Sequence, residues 1–146
     1  MSNKKVESVI YHYYNCNHHH RLTDDCVVRA ISAAMGQSWE KTIRDLTEYS
    51  IKTGWLIHTT RNYDAYLSDN GWIRQKQPVY KNGRKMKFKD FCRKFDGHAV
   101  ANCGENHVTL CADNCVWDIW DTSEQIVGDY WVHKSELHLV KKIMEG

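Results

Sequence analysis

The apolar residues of this chain change period in its second half. After Thr23-Asp24-Asp25, a cluster of good N-caps, Val27, Ile31, Ala34 and Met35 recur at helical spacing until Gly36 stops the run. Ser38 caps a second stretch with Trp39, Ile43, Leu46 and Ser50 on one face, ended by Gly54. A third helix is predicted over Arg61–Asp69, with Tyr63, Tyr66 and Leu67 inward, before the turn signal Asn70-Gly71. A fourth is predicted over Lys87–Phe95, where Phe88, Phe91, Cys92 and Phe95 share a face. Beyond it the runs Ala99–Cys103, His107–Ala112, Cys115–Trp120 and Tyr130–His133 are short, alternating or apolar, and separated by Gly, Asn and Asp. Asp113-Asn114 between two such runs predicts a tight hairpin. Val6–Tyr14 is a candidate strand, and the last ten residues carry no clear period. Helices first and an antiparallel sheet second make an α+β pattern, expected as one domain over residues 1–146 because no repeat or linker divides the chain.

Composition supports a folded core. The chain has 146 residues, is 42% hydrophobic and holds six Trp and eight Tyr, which argues against disorder. No window is apolar for long enough to span a membrane, and the Met1–Ser8 stretch lacks the apolar block of a signal peptide. The expected location is therefore cytoplasmic, in the producing or infected cell, with no membrane partner. Cysteines at 16, 26, 92, 103, 111 and 115 are then expected as reduced thiols. Neither Cys111 with Cys115 nor Cys16 with His18-His19-His20 completes a zinc-finger spacing, so no structural metal and no cofactor is expected.

One thiol stands apart. Cys26 falls at the start of the first predicted helix, where unpaired N–H groups and the positive end of the dipole favour thiolate. Asp24 and Asp25 beside it oppose that effect, so a cationic partner is needed. His107, opening a predicted strand after the turn Gly104-Glu105, is the best-placed histidine. Asp118 and Asp121 follow at a distance that a hairpin can close, and either could orient the imidazole through its second nitrogen. A two-residue loop at Asp113-Asn114 sets His107 opposite Trp120 and puts Asp118 on the histidine's face; a three-residue loop or one bulge sets it opposite Asp121. The sequence leaves both registers open. Taken singly, such a cysteine is most often a core residue and such an aspartate a turn former. Their order along the chain is what joins them.

That order carries a resemblance. Asp25-Cys26-Val-Val-Arg-Ala resembles the nucleophile helix of a group of small papain-like cysteine proteases of phages and bacteria. Asn106-His107-Val-Thr, Asp118-Ile-Trp-Asp121-Thr-Ser and Val127-Gly-Asp-Tyr-Trp131 are similar to their C-terminal sheet motif. The resemblance covers roughly residues 22–132. It implies a papain-like fold with N-terminal helices packed on a C-terminal antiparallel sheet. It also implies Cys26 as nucleophile, His107 as general base and Asp121, where the strand ends, as orienting group, with Asp118 the alternative. Papain-like enzymes commonly carry a glutamine about six residues before the cysteine as an oxyanion donor. Here that position is His20, and His20, His19 and Asn17 are the candidate substitutes, with the Cys26 N–H as the other donor.

A separate feature is charge. Residues 74–94 hold nine Lys/Arg and one Asp, a net +8 in a chain whose total is +2, so the remainder carries −6. Arg74, Lys76, Lys81, Arg84, Lys85, Lys87 and Lys89 form this basic patch, which could attract nucleic acid or an acidic protein, although no nucleic-acid motif is present. The expected function is a papain-like thiol peptidase, amidase or isopeptidase acting on a protein or peptide, of phage or mobile-element origin. The rival is a catalytically weak or inactive module of the same fold that blocks a host protein or binds nucleotide or nucleic acid through the patch.

Overall fold

The computed structural model describes residues 9–144. The Met1–Ser8 stretch, and with it the start of the candidate strand Val6–Tyr14, lies outside the described residues. The helices begin and end where the caps say. Helix α1 runs Cys26–Met35 and stops at Gly36, whose left-handed φ of 63° an L side chain resists. Helix α2 runs Trp39–Thr53; Ser38 Oγ accepts the Lys41 N–H at its start, and Gly54 ends it. Helix α3 spans Thr60–Asp69 and α4 spans Phe88–Lys94. A 3₁₀ helix, Lys134–Ile143, occupies most of the tail that the pattern left unassigned.

Six strands are present among the described residues: β1 Tyr11–Tyr13, β2 Trp72–Gln75, β3 Ala99–Cys103, β4 His107–Ala112, β5 Cys115–Asp118 and β6 Val127–His133. They form one sheet in the order β1-β5-β4-β3-β6-β2. The α+β class is therefore as expected, but the sheet is mixed rather than wholly antiparallel, because β1 returns to pair parallel with β5. Strand β2 was hidden in the basic segment: it is an edge strand with only Trp72 buried, so its apolar pattern is too thin to read.

The layers also differ from the expected two. One core packs α1, α2 and α3 on one face through Val28, Ile31, Leu46, Leu67, Val100 and Trp131. A second core packs α4 and the 3₁₀ helix on the opposite face through Phe88, Phe91, Phe95, Ala101, Val132 and Ile143. Burial on both faces explains why β3 and β4 read as nearly continuous apolar runs. Alternation still sorts them, with Val100 to the three-helix side and Ala99 and Ala101 to the other.

The β4–β5 hairpin fixes the site's register. Ala112 pairs with Cys115, and Asp113 and Asn114 both take left-handed φ, 52° and 59°, the geometry of a two-residue turn. Asn114 Nδ2 donates to the carbonyls of Cys92 and Phe95 at 2.9 and 3.1 Å, tying the turn to the end of α4. An irregularity does occur in the sheet, but between β3 and β6, where Gly128 approaches Asn102 so closely that an added Cβ would lie 3.1 Å from the Asn102 Cβ.

Asn114→Ala should thus lower stability by about 2 kcal/mol, combining left-handed strain with lost hydrogen bonds. The measurement is the urea midpoint. Asn114→Gly should lose less, since it relieves the strain and forfeits only the bonds; equal losses would show that the turn conformation contributes nothing.

Candidate active site

The first turn of α1 begins on an unusual cap. Asp25 occupies the N-cap position yet makes no side-chain bond to the helix backbone. Its carboxylate instead receives the Arg29 guanidinium and the Trp39 indole N–H, the latter at 2.9 Å. The N–H groups at the start of α1 therefore stay available, and Cys26 is the first residue of that helix. It is half-buried against β4.

His107 is the first residue of β4 and Asp118 the last of β5. The two-residue hairpin brings them to one face, and His107 Nε2 meets Asp118 Oδ2 at 2.7 Å. The Cys26 thiol interacts with the same ring, each group favouring the charged form of the other. With Nε2 engaged by the carboxylate, Nδ1 is the nitrogen left to face sulfur. The expected Asp121 contact is not made. Asp121 Oδ1 accepts the Ser123 N–H at 2.9 Å, closing the turn after β5 in the manner common for aspartate. Asp121 is thus corrected to Asp118, for the register reason that favoured each.

Arg29 is the residue the sequence reading missed. It is only 5% exposed, reaches Asp25 through NH1 and lies 3.5 Å from Asp118 Oδ1 through NH2. Asp118 Oδ1 also accepts the Ile119 N–H at 2.7 Å. Tyr14 N–H and Tyr11 OH both donate to the Asp118 carbonyl, at 2.9 and 3.1 Å, so β1 helps hold the residue in place. The i,i+4 spacing of Asp25 and Arg29 was visible, but nothing in it announced burial. The opposition expected from Asp25 is also corrected, because its charge is spent on Arg29.

These contacts set the protonation chemistry. Burial pushes the Cys26 thiol up, but hydrogen bonds from His107 and the Val108 N–H, with the charges of His107 and Arg29, outweigh it and hold the thiol below its ordinary value. Burial pulls the His107 ring down, but the hydrogen bonds to Asp118 and Cys26, with their charges, raise it to about 9. The pair therefore favours thiolate and imidazolium together. The other shifted thiols move the opposite way: burial raises Cys16, Cys92, Cys103 and Cys115.

Two adjoining clefts meet at the pair. One, about 310 Å³, is lined by Val27, Thr60, Tyr63, Asn102, Gly104 and Val108. The other, about 410 Å³, is lined by Thr23, Asp24, Arg29, Ile119 and Trp120. Cys26, His58, Asn106 and His107 line both. The Trp120 ring, itself exposed, lies 4.9 Å from the His107 ring. His58, from the segment before α3, carried no sequence signal.

The remaining candidates fall elsewhere. His19, His20 and Asn17 line neither cleft. Asn17 is buried, with its Nδ2 3.5 Å from Asp25 and its Oδ1 accepting the His19 N–H, so it braces the loop instead of facing a substrate. The Cys16 thiol points at the Arg29 carbonyl, 3.6 Å away. The basic patch is partly neutralised: Arg74 pairs with Asp129, and Lys87 and Lys89 both pair with Glu124. Lys76, Lys81, Arg84 and Lys85 are exposed and form no ion pair among the described residues. No helix among the described residues is long and apolar enough to cross a membrane.

Arg29→Met should cost about 3–5 kcal/mol by leaving two buried carboxylates without a cation, read as a lower urea midpoint. Asp118→Asn should slow alkylation of Cys26 at neutral pH several-fold, while Asp121→Asn leaves the rate unchanged; the reverse ranking would reinstate Asp121. Compared with known proteins, the chain matches no protein-family model, no curated protein and no solved structure.

Proposed function

We propose that the chain is a papain-like cysteine hydrolase that cleaves an amide or isopeptide bond in a protein or peptide. The observation that carries this reading is the position of His107, bonded to Asp118 at 2.7 Å and lining, together with Cys26, the junction of two clefts. A structural histidine needs neither a lowered thiol beside it nor open space on both sides. The chain order, with cysteine on an early helix and histidine and aspartate on adjacent later strands, supports the papain-like form of the chemistry.

The steps follow from the protonation states. The Cys26 thiolate attacks the carbonyl carbon, and the tetrahedral oxyanion forms at the uncapped start of α1, where the Cys26 N–H donates. Asn106 and His58 are the polar side chains that line both clefts and could supply a second donor. The His107 imidazolium gives its proton to the leaving amine, and the C–N bond breaks to a thioester. Neutral His107 then takes a proton from water, whose oxygen attacks the thioester and releases the acid and the thiolate. Asp118 holds the ring through Nε2 so that Nδ1 faces these transfers. Trp120 packs beside the His107 ring on the side of the second cleft.

Cys26 should react with iodoacetamide much faster than Cys16 and Cys115, the other half-buried thiols, and His107→Ala should erase the advantage without changing circular dichroism. Equal labelling would remove the nucleophile. Turnover of a fluorogenic peptide pool should follow a bell in pH. Its acid limb is set by the lowered thiol, because activity appears as Cys26 ionises; its alkaline limb falls near pH 9, as His107 loses the proton that the leaving amine needs. These limbs belong to the coupled pair.

A further inference from the structure

A second cluster of ligating side chains lies outside the cleft. His18 and His19 occupy the turn after Asn17, and their rings lie with centroids 4.0 Å apart, tilted at 39°. Glu40, in the first turn of α2, reaches the same point, with its Oε1 against the His18 Nδ1. One ligand atom from each of the three lies within 4.8 Å of the others.

Two features give this cluster direction. Adjacent residues usually point apart, but here the turn at 17–20 turns both rings to one side. It is held by Asn17, whose Oδ1 accepts the His19 N–H at 3.0 Å and whose carbonyl accepts the His20 N–H at 2.8 Å. The left-handed φ of 53° at His20 completes that turn. The second feature is Glu40 Oε1 itself. It is enclosed, and the only group against it among the described residues is the His18 ring nitrogen, with no further hydrogen-bond donor. A cation between the imidazoles and this oxygen would replace that single contact with bonds to all three residues.

We propose that His18, His19 and Glu40 form a surface site for a divalent transition metal of the zinc, cobalt or nickel type. Two imidazoles and one carboxylate suit these borderline ions and not calcium or magnesium, which prefer oxygen donors. Bonds of ~2.0–2.2 Å require ligand atoms roughly 3.0–3.5 Å apart, so the three must adjust by about 1–2 Å, the touching His18 and Glu40 atoms moving apart. Both histidines and Glu40 are partly or fully exposed and are free to do so. Water completes the coordination. The site is separate from the structural zinc that Cys16 would have made, since the Cys16 thiol faces the Arg29 carbonyl. It joins the loop leading into α1 to the start of α2, beside Trp39, whose indole holds Asp25. Occupancy therefore braces the loop and raises thermal stability, while its loss leaves the fold intact.

The test is titration of the untagged full chain with Co²⁺ and Zn²⁺. The expected result is one metal per chain, with visible cobalt bands but no thiolate charge-transfer band in the near ultraviolet, and a melting temperature that rises with metal. Glu40→Gln and His18→Ala should each weaken binding roughly tenfold or more, and His20→Ala should not. Glu40→Gln with undiminished affinity would show only a histidine run capturing metal, and would overturn the site. A thiolate band would assign the metal to a cysteine, and no binding would dismiss it altogether. None of these outcomes depends on whether Cys26 is a nucleophile.

Discussion

The buried guanidinium of Arg29 is the constraint on which the site depends. It stands between two carboxylates, Asp25 before α1 and Asp118 at the end of β5, and so joins the helix that carries the thiol to the strand that carries the histidine's partner. Such a group is poor as a source of stability, because removing three charges from water costs about as much as their attraction returns. What it supplies is position. Asp25 cannot turn back to cap α1 while it holds Arg29 and Trp39, so the helix start stays open beside Cys26. Asp118 cannot rotate away from His107 while Arg29 and the Ile119 N–H hold its other oxygen.

The same arrangement explains how the chain holds a half-buried thiol below its ordinary pKa. Desolvation alone would raise it, as it does for Cys92 in α4 and Cys103 in β3. The opposing groups come from three elements: His107 and the Val108 N–H from β4, Arg29 from α1, and Asp118 behind the ring from β5. No local stretch of sequence contains them all. Burial of the sheet on both faces makes this economical, since the strands that place the polar groups are held rigid by two apolar layers.

Charge is distributed with a comparable logic elsewhere. The strongly basic segment 74–94 loses much of its field to partners far along the chain, with Glu124 taking two lysines and Asp129 taking Arg74. Of the cations left without an ion pair among the described residues, Lys81, Arg84 and Lys85 are on a tight loop around Gly83, and none of these lines either cleft. Exposed pairs of this kind contribute little energy, but they change what an approaching polymer would meet.

Local chemistry determined the helices. Ser38, Gly36 and Gly54 place three of the boundaries, because a cap is a property of one or two residues and needs no partner elsewhere. Cys26 and His107 were legible for the same reason: a helix start and a strand start can each be read from a few neighbours. Asp118 was not, because strand period is two and a single inserted residue moves every side chain to the other face. The choice between Asp118 and Asp121 rested on whether Asp113 and Asn114 both adopt left-handed φ, and that conformation is held by Asn114 bonding to the end of α4, a contact between separate elements. Arg29 carried no signal, because its role depends on Asp118 arriving beside it from β5. Strand β1 could not be assigned a parallel neighbour, nor β2 an edge, because their hydrogen-bond partners lie more than fifty residues away. Tertiary structure decided these features since each depends on which distant backbone arrives alongside, and that is set by the packing of the whole sheet.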